Sequence, residues 1–255
     1  MTTWALAGKG GTGKTTLAAL IIRGLVERGM RPILAIDADP AANLHLALGM
    51  DMPFTVGQIR EEMAENAQAG QLGLSISRRD WLDQQVRMAL EEGEHVDLLA
   101  MGRPEGQGCY CAANHMLREI IDNLSRSYPF VVMDNEAGME HISRRTTRDV
   151  DLLLLVSDPT VRGLRTAAQM AELARQVEVN VRDLRLVLNR VPGELPPPLQ
   201  DEVEKLGIPL AAQIPADPAI NHLDAMGEPL VGLGEDSPAW RAVQQMIVEL
   251  LAVTA

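Results

Sequence analysis

The sequence predicts an α/β fold in three layers, a mostly parallel central sheet flanked by helices. Three observations predict it. Short apolar runs alternate with helix-period segments, which is how parallel strands joined by crossover helices read. A glycine-rich loop joins the first run to the first helical segment, and two later runs end in aspartate, at Asp37 and Asp134. With 255 residues, 46% hydrophobic and only 3% aromatic, the chain can build one well-buried core from Ala, Val, Leu, Ile and Met. Residues 1–255 are therefore expected to form a single domain.

The first candidate strand is 3–7, and Gly8-Lys9-Gly10-Gly11-Thr12-Gly13-Lys14-Thr15 follows it. In the spacing G-x-x-x-x-G-K-T, glycines let successive amides point inward at phosphate oxygens, while the next helix presents its positive N-terminal end. Lys14 then neutralises phosphate charge and Thr15 ligates magnesium, with Gly10, Gly11, Thr12, Gly13 and Thr16 completing the cradle. The fold class sharpens to a P-loop nucleoside triphosphatase, with ATP and Mg2+ as the expected ligands. Leu17, Leu20, Ile21, Leu25 and Val26 recur at three- and four-residue spacing along the following helix, which Gly29 ends.

The second candidate strand, 32–36, runs into Asp37-Ala38-Asp39-Pro40. Carboxylates two apart on extended chain share a face, and ligands of open α/β sheets bind at the carboxyl ends of strands. Asp37 is expected to help hold the magnesium shell. For Asp39, ordinary turn chemistry before proline competes with a catalytic role. Residues 51–95 hold two amphipathic segments, around 59–67 and 81–92, expected to cover one side of the nucleotide site; Thr55 with Gln58 is a candidate capping box. A third strand is expected at 96–101.

The strand 130–134 ends in Asp134, the expected second-sphere contact to magnesium, and Gly138 beyond it could pivot a phosphate-sensitive segment. Further strands are expected at 151–156, 184–189 and 209–213. Asp217-Pro218 and Ser237-Pro238 each set a capping side chain before a proline at the first helical position. The last helix, 238–252, carries Trp240, Val243, Ile247, Leu250 and Leu251 at helical spacing, and its polar face lacks the basic residues of a membrane-surface helix.

Charge narrows the function classes. A formal net charge of -12 opposes attraction to nucleic acid or anionic lipid. The N-terminal residues do not read as a secretory signal, and no apolar run approaches the roughly 18 residues of a membrane span. A cytoplasmic protein with neither nucleic-acid nor membrane partners is expected. The two cysteines, Cys109 and Cys111, are poor disulfide partners at that separation. On extended chain they point the same way, so two thiolates could converge on one soft or borderline metal ion; a buried or incidental role is the alternative. Two ligands leave a tetrahedral or square-planar site half built, and a two-fold dimer could supply the pair twice. His115 is a fallback ligand.

Lys9 has no role in a minimal phosphate cradle. The run Lys9 to Thr16 resembles the deviant phosphate loop of the ATPases that include the nitrogenase iron protein and the division-site and chromosome-partition ATPases. That resemblance implies that Lys9 reaches across a homodimer interface to the partner's nucleotide. It implies that Asp39 positions or deprotonates the attacking water, and that Asn189, Arg190 and Pro215 belong to base-recognising elements. Cys109-Tyr110-Cys111-Ala112-Ala113-Asn114-His115 and Asp134-Asn135-Glu136-Ala137-Gly138-Met139-Glu140-His141 look like the CooC family within that group, over essentially the whole length. Those ATPases assist nickel insertion into carbon monoxide dehydrogenase. The implied cargo is Ni2+, with Zn2+ accepted by the same thiolates, and the implied client is that dehydrogenase or, as in close relatives, acetyl-CoA synthase. The competing functions each lack a feature. An electron carrier of the nitrogenase type needs cysteines beyond Cys111, and an iron-sulfur scaffold needs a late C-x-x-C pair. A partition or division-site ATPase needs basic surface or a basic membrane helix.

Overall fold

The computed structural model describes residues 1–68, 77–103, 111–136, 149–176 and 180–254. Eight strands form one sheet: β1 (Thr2–Gly8), β2 (Ile33–Ala38), β3 (Glu91–Glu92), β4 (Val96–Ala100), β5 (Phe130–Asn135), β6 (Asp149–Ser157), β7 (Asn180–Val191) and β8 (Leu210–Pro215). Their order is β3-β4-β2-β5-β1-β6-β7-β8, parallel throughout except for the antiparallel β3–β4 pair. All seven expected strands are present. The additional one, β3, is two glutamates at the sheet edge, where no apolar run could have announced it.

Nine helices are described: α1 (Lys14–Glu27), α2 (Leu44–Leu48), α3 (Val56–Gln68), α4 (Arg78–Met88), α5 (Cys111–Ser125), α6 (Val161–Gln176), α7 (Pro197–Leu206), α8 (Pro218–Met226) and α9 (Pro238–Thr254). Alternation along the strands divides them between the two faces. Trp4 and Leu6 of β1 join a core with α1, α2 and α9, whereas Ala5 and Ala7 face the opposite core with α3 to α7. Trp4 meets Phe130 edge to face at 5.1 Å.

The local signals hold at atomic detail. Gln58 N–H donates to Thr55 Oγ1 at 3.2 Å, and Thr55 N–H donates back to Gln58 Oε1 at 2.8 Å, a reciprocal cap for α3. Gly29, at φ 78, closes α1 by donating its N–H to Val26 O. The apolar stripe of α9 is spent inside the protein: Trp240, Val243 and Ile247 are fully buried in the core they share with α1. Gly24 permits the approach, because a Cβ there would stand 2.4 Å from Ile247 Cδ1. Arg23 lies over the Trp240 ring at 4.0 Å. The third indole, Trp81, is only partly buried on α4, which packs against α5. Among the described residues no helix is long and apolar enough to cross a membrane.

Candidate functional site at the carboxyl edge of the central strands

β1 lies at the turning point of the sheet, between β5 and β6, so the loops leaving it and its neighbours converge on one edge. The loop after β1 rises at Gly8, where a Cβ would sit 2.3 Å from the Val156 carbonyl oxygen, and turns through Gly11 and Gly13 at φ 81 and 84. Those left-handed conformations are why glycine is required there. Thr12 ties the loop to itself, its Oγ1 donating to Lys9 O at 2.9 Å. The Lys14 ammonium is buried and reaches across the loop to Gly8 O at 3.3 Å and Lys9 O at 3.4 Å. Lys9 itself is exposed.

Asp37 and Asp134 are register partners on the adjacent strands β2 and β5. Asp37 accepts the backbone N–H groups of Asp39 at 3.0 Å and Leu44 at 2.8 Å, one on each oxygen. It thereby shapes the turn that carries Asp39, whose own carboxylate accepts from Ala41 N–H at 2.9 Å. Asp134 accepts the Thr15 hydroxyl on Oδ2 at 2.6 Å, and its buried Oδ1 meets no protein donor. Burial raises both acids: Asp37 to about 6, against the pull of its two amide bonds, and Asp134 to about 7, against the Thr15 bond. A buried carboxylate with an orphan oxygen, bonded to a hydroxyl at a helix start, is a donor set suited to Mg2+ and its water shell.

Gly10, Gly11, Gly13, Lys14, Thr15, Asp39, Glu136 and Arg190 line one cavity of about 340 Å³. A second, of about 270 Å³, lies beside it, lined among others by Thr15, Thr16, Asn43, Asp224 and Glu228. Among the described residues, neither is lined by one from 51–95. α3 packs on α4 and α4 on α5, and their apolar residues Ile59, Met63, Leu82 and Val86 share a core with Leu117 and Ile120 of α5. Asn189 donates Nδ2–H to Thr12 O at 2.8 Å, and Pro215 ends β8 beside Val191. Glu136 is the lining residue that sequence reading left without a role, since its only signal is position two after Asp134. Arg190, expected in a base-recognising element, places its guanidinium beside the loop glycines, with Nη1 donating to Gly11 O at 3.1 Å.

Cys109 and Gly138 lie outside the described residues, as does the Cys111 side chain; the backbone makes Cys111 the first residue of α5. His115, on the same helix, is exposed with Nδ1 3.8 Å from Glu119 Oε1. Among the described residues no group of three or more His, Cys, Asp or Glu side chains could hold a metal ion.

Known proteins agree with this geometry. The CobQ/CobB/MinD/ParA nucleotide binding domain matches residues 4–230. An uncharacterized ATP-binding protein of Methanocaldococcus jannaschii is 39% identical over 97% of both chains. The carbon monoxide dehydrogenase accessory protein CooC of Rhodospirillum rubrum is 32% identical over 88% of this chain and 87% of its own. The cell division ATPase MinD of Pyrococcus furiosus superposes with a TM-score of 0.69 at 25% identity, covering 99% of each chain. The chain therefore belongs to the CobQ/CobB/MinD/ParA nucleotide-binding family and is an ATPase of the MinD, ParA and CooC kind.

Proposed function

We propose that the chain is a Mg2+-dependent ATPase whose ATP-bound form pairs face to face with a second copy, and whose cargo is a metal ion carried by Cys109 and Cys111. The observation that carries the ATPase reading is the convergence of Lys14, Thr15, Asp39 and the loop glycines on one cavity beside the Thr15–Asp134 bond. The loop amides and Lys14 bind the β- and γ-phosphates, and the α1 N-terminus adds its positive end. Thr15 and Asp134 would hold magnesium, with Asp37 behind them; the ion supplies charge neutralisation between phosphate oxygens. Asp39 orients the attacking water and takes its proton, while Asn189 and Pro215 border the base. Lys9, exposed at the loop, is free to reach a partner's nucleotide.

The metallochaperone part rests on the likeness to CooC across most of the chain and on the cysteine pair leading into α5. Nickel is the cargo that likeness favours, with carbon monoxide dehydrogenase as client. A patterning ATPase of the division-site kind would suit the same fold. Against it stand the net charge of -12 and the burial of Trp240, Val243 and Ile247, which commits the apolar stripe of α9 to the core.

The test is a titration of Ni2+ and Zn2+ with size measurement, in ATP, in ADP and without nucleotide, on the wild type and on Cys109→Ser and Cys111→Ser. Expected are ATP-dependent dimers that bind one thiolate-dependent metal per pair, with hydrolysis preserved and dehydrogenase loading lost in both variants. A protein that stays monomeric with ATP, or that binds no metal through its thiols, would remove the chaperone reading and leave the ATPase.

A further inference from the structure

The pairing of β7 with β8 is irregular between Leu188 and Val191, and the residues displaced are Asn189 and Arg190. Bulges of this kind re-aim side chains beside functional sites. Here Asn189 and Arg190 reach consecutive carbonyls of the phosphate loop, Thr12 O at 2.8 Å and Gly11 O at 3.1 Å. Arg190 does so from a left-handed backbone, φ 58, a conformation that a side chain with a Cβ disfavours. Arg190 then lines the phosphate cavity together with Lys14, Asp39 and Glu136.

A guanidinium has five N–H donors in a fixed fork, and the bond to Gly11 O employs one of its nitrogens. Among the described lining residues, Lys14 and Arg190 are the two cations, set against two carboxylates. A triphosphate entering that balance gains from a second cation beside Lys14. The position of Arg190 also differs from that of Lys9: it borders the cavity of its own subunit and needs no second copy.

We infer that Arg190 is a phosphate ligand supplied in cis: one edge of its guanidinium is anchored to the Gly11 carbonyl and the remaining N–H groups contact terminal phosphate oxygens of ATP bound in the same chain. The inference rests on the reading above that this cavity receives ATP. Planar, bidentate recognition of phosphate is what distinguishes arginine from lysine, so the two are not interchangeable here. The competing account, a brace that only holds the loop backbone, makes a different prediction. Glutamine can still donate an N–H to Gly11 O but carries no charge.

The experiment measures binding of ATP, ADP and AMP, with Mg2+, to the full chain and to Arg190→Gln, Arg190→Lys and Arg190→Gly. Glycine suits the left-handed backbone and keeps the fold while removing the guanidinium. Expected is a loss of ATP affinity of about tenfold or more in the Gln and Gly variants, the scale of a charge-assisted hydrogen bond. A smaller loss in the Lys variant, unchanged AMP affinity, and partial rescue of the Gly variant by added guanidinium ion complete the pattern. Equal losses for ATP and AMP, or full ATP affinity in Arg190→Gln, overturn the inference while the ATPase reading stands. A wild type that binds no ATP overturns both.

Discussion

Asp134 answers two conflicting demands. Its orphan oxygen and its Thr15 bond suit a divalent cation, yet burial beside Asp37 makes its charge costly when no cation is there. The sign of the pH effect follows from the raised value of about 7 against 3.8 for an ordinary aspartate. The folded protein holds a proton that the unfolded chain has released, so this group's contribution to stability is fullest below about pH 4 and falls as pH rises toward 7. Asp134→Asn keeps an acceptor for Thr15 and removes the buried charge. The nucleotide-free variant should melt higher than wild type at pH 7.5, by about 2–4 °C for each kcal/mol relieved, while losing hydrolysis. Calorimetry from pH 5 to 7.5 checks this: the wild-type midpoint should decline more steeply than that of the variant. Parallel pH profiles would contradict it.

Among elements, the N-termini of α8 and α9 are joined through one side chain. Asp217 accepts from Ala219 N–H at 2.8 Å on one oxygen, and from the Ser237 hydroxyl at 2.5 Å and Ala239 N–H at 3.4 Å on the other. Burial alone would raise this carboxyl, but the three donors outweigh it and hold it below its usual range. Its stabilisation is therefore present above about pH 4 and is lost as pH falls through the depressed value. Asp217→Ala should cost about 2–3 kcal/mol, two caps and a charge-assisted bond, read as a lowered urea midpoint that depends less on acid than the wild type's. Each cap was legible from Asp-Pro and Ser-Pro, because capping is decided within a few residues. That one aspartate serves both helices was not, since Asp217 and Ser237 meet only in the folded chain. The same division runs through the site. The loop glycines, Lys14, Thr15 and Asp134 announce themselves by local spacing. Glu136 and the guanidinium of Arg190 enter the cavity only because of strand order and a bulge in β7. α2 and β3 are too short to establish a period, and β7 begins earlier than its apolar half because its first residues are polar.

For the whole molecule, α9 decides whether the C-terminus is a tail or a wall. It shares a core with Leu17, Ile21 and Leu25 of α1, the helix that begins with Lys14. Removing residues 238–255 uncovers that face, so the truncated chain is expected to aggregate on expression rather than persist as a binding-competent domain. Recovery of a monodisperse truncated protein that still binds ATP would contradict this placement. The architecture itself was readable from the alternation of runs and helices, which the eight strands of one sheet bear out. What alternation leaves open is strand order, which is set by packing of both faces at once.

The seating of the three tryptophans has an optical consequence. Trp4 and Trp240 are shut away from water, so a dissolved quencher such as iodide has only Trp81 within easy reach. Because Trp81 rides on the helix that packs against α5, its emission reports on that helix pair. The unlabelled protein thus carries its own fluorophore for following changes at that helix pair in real time.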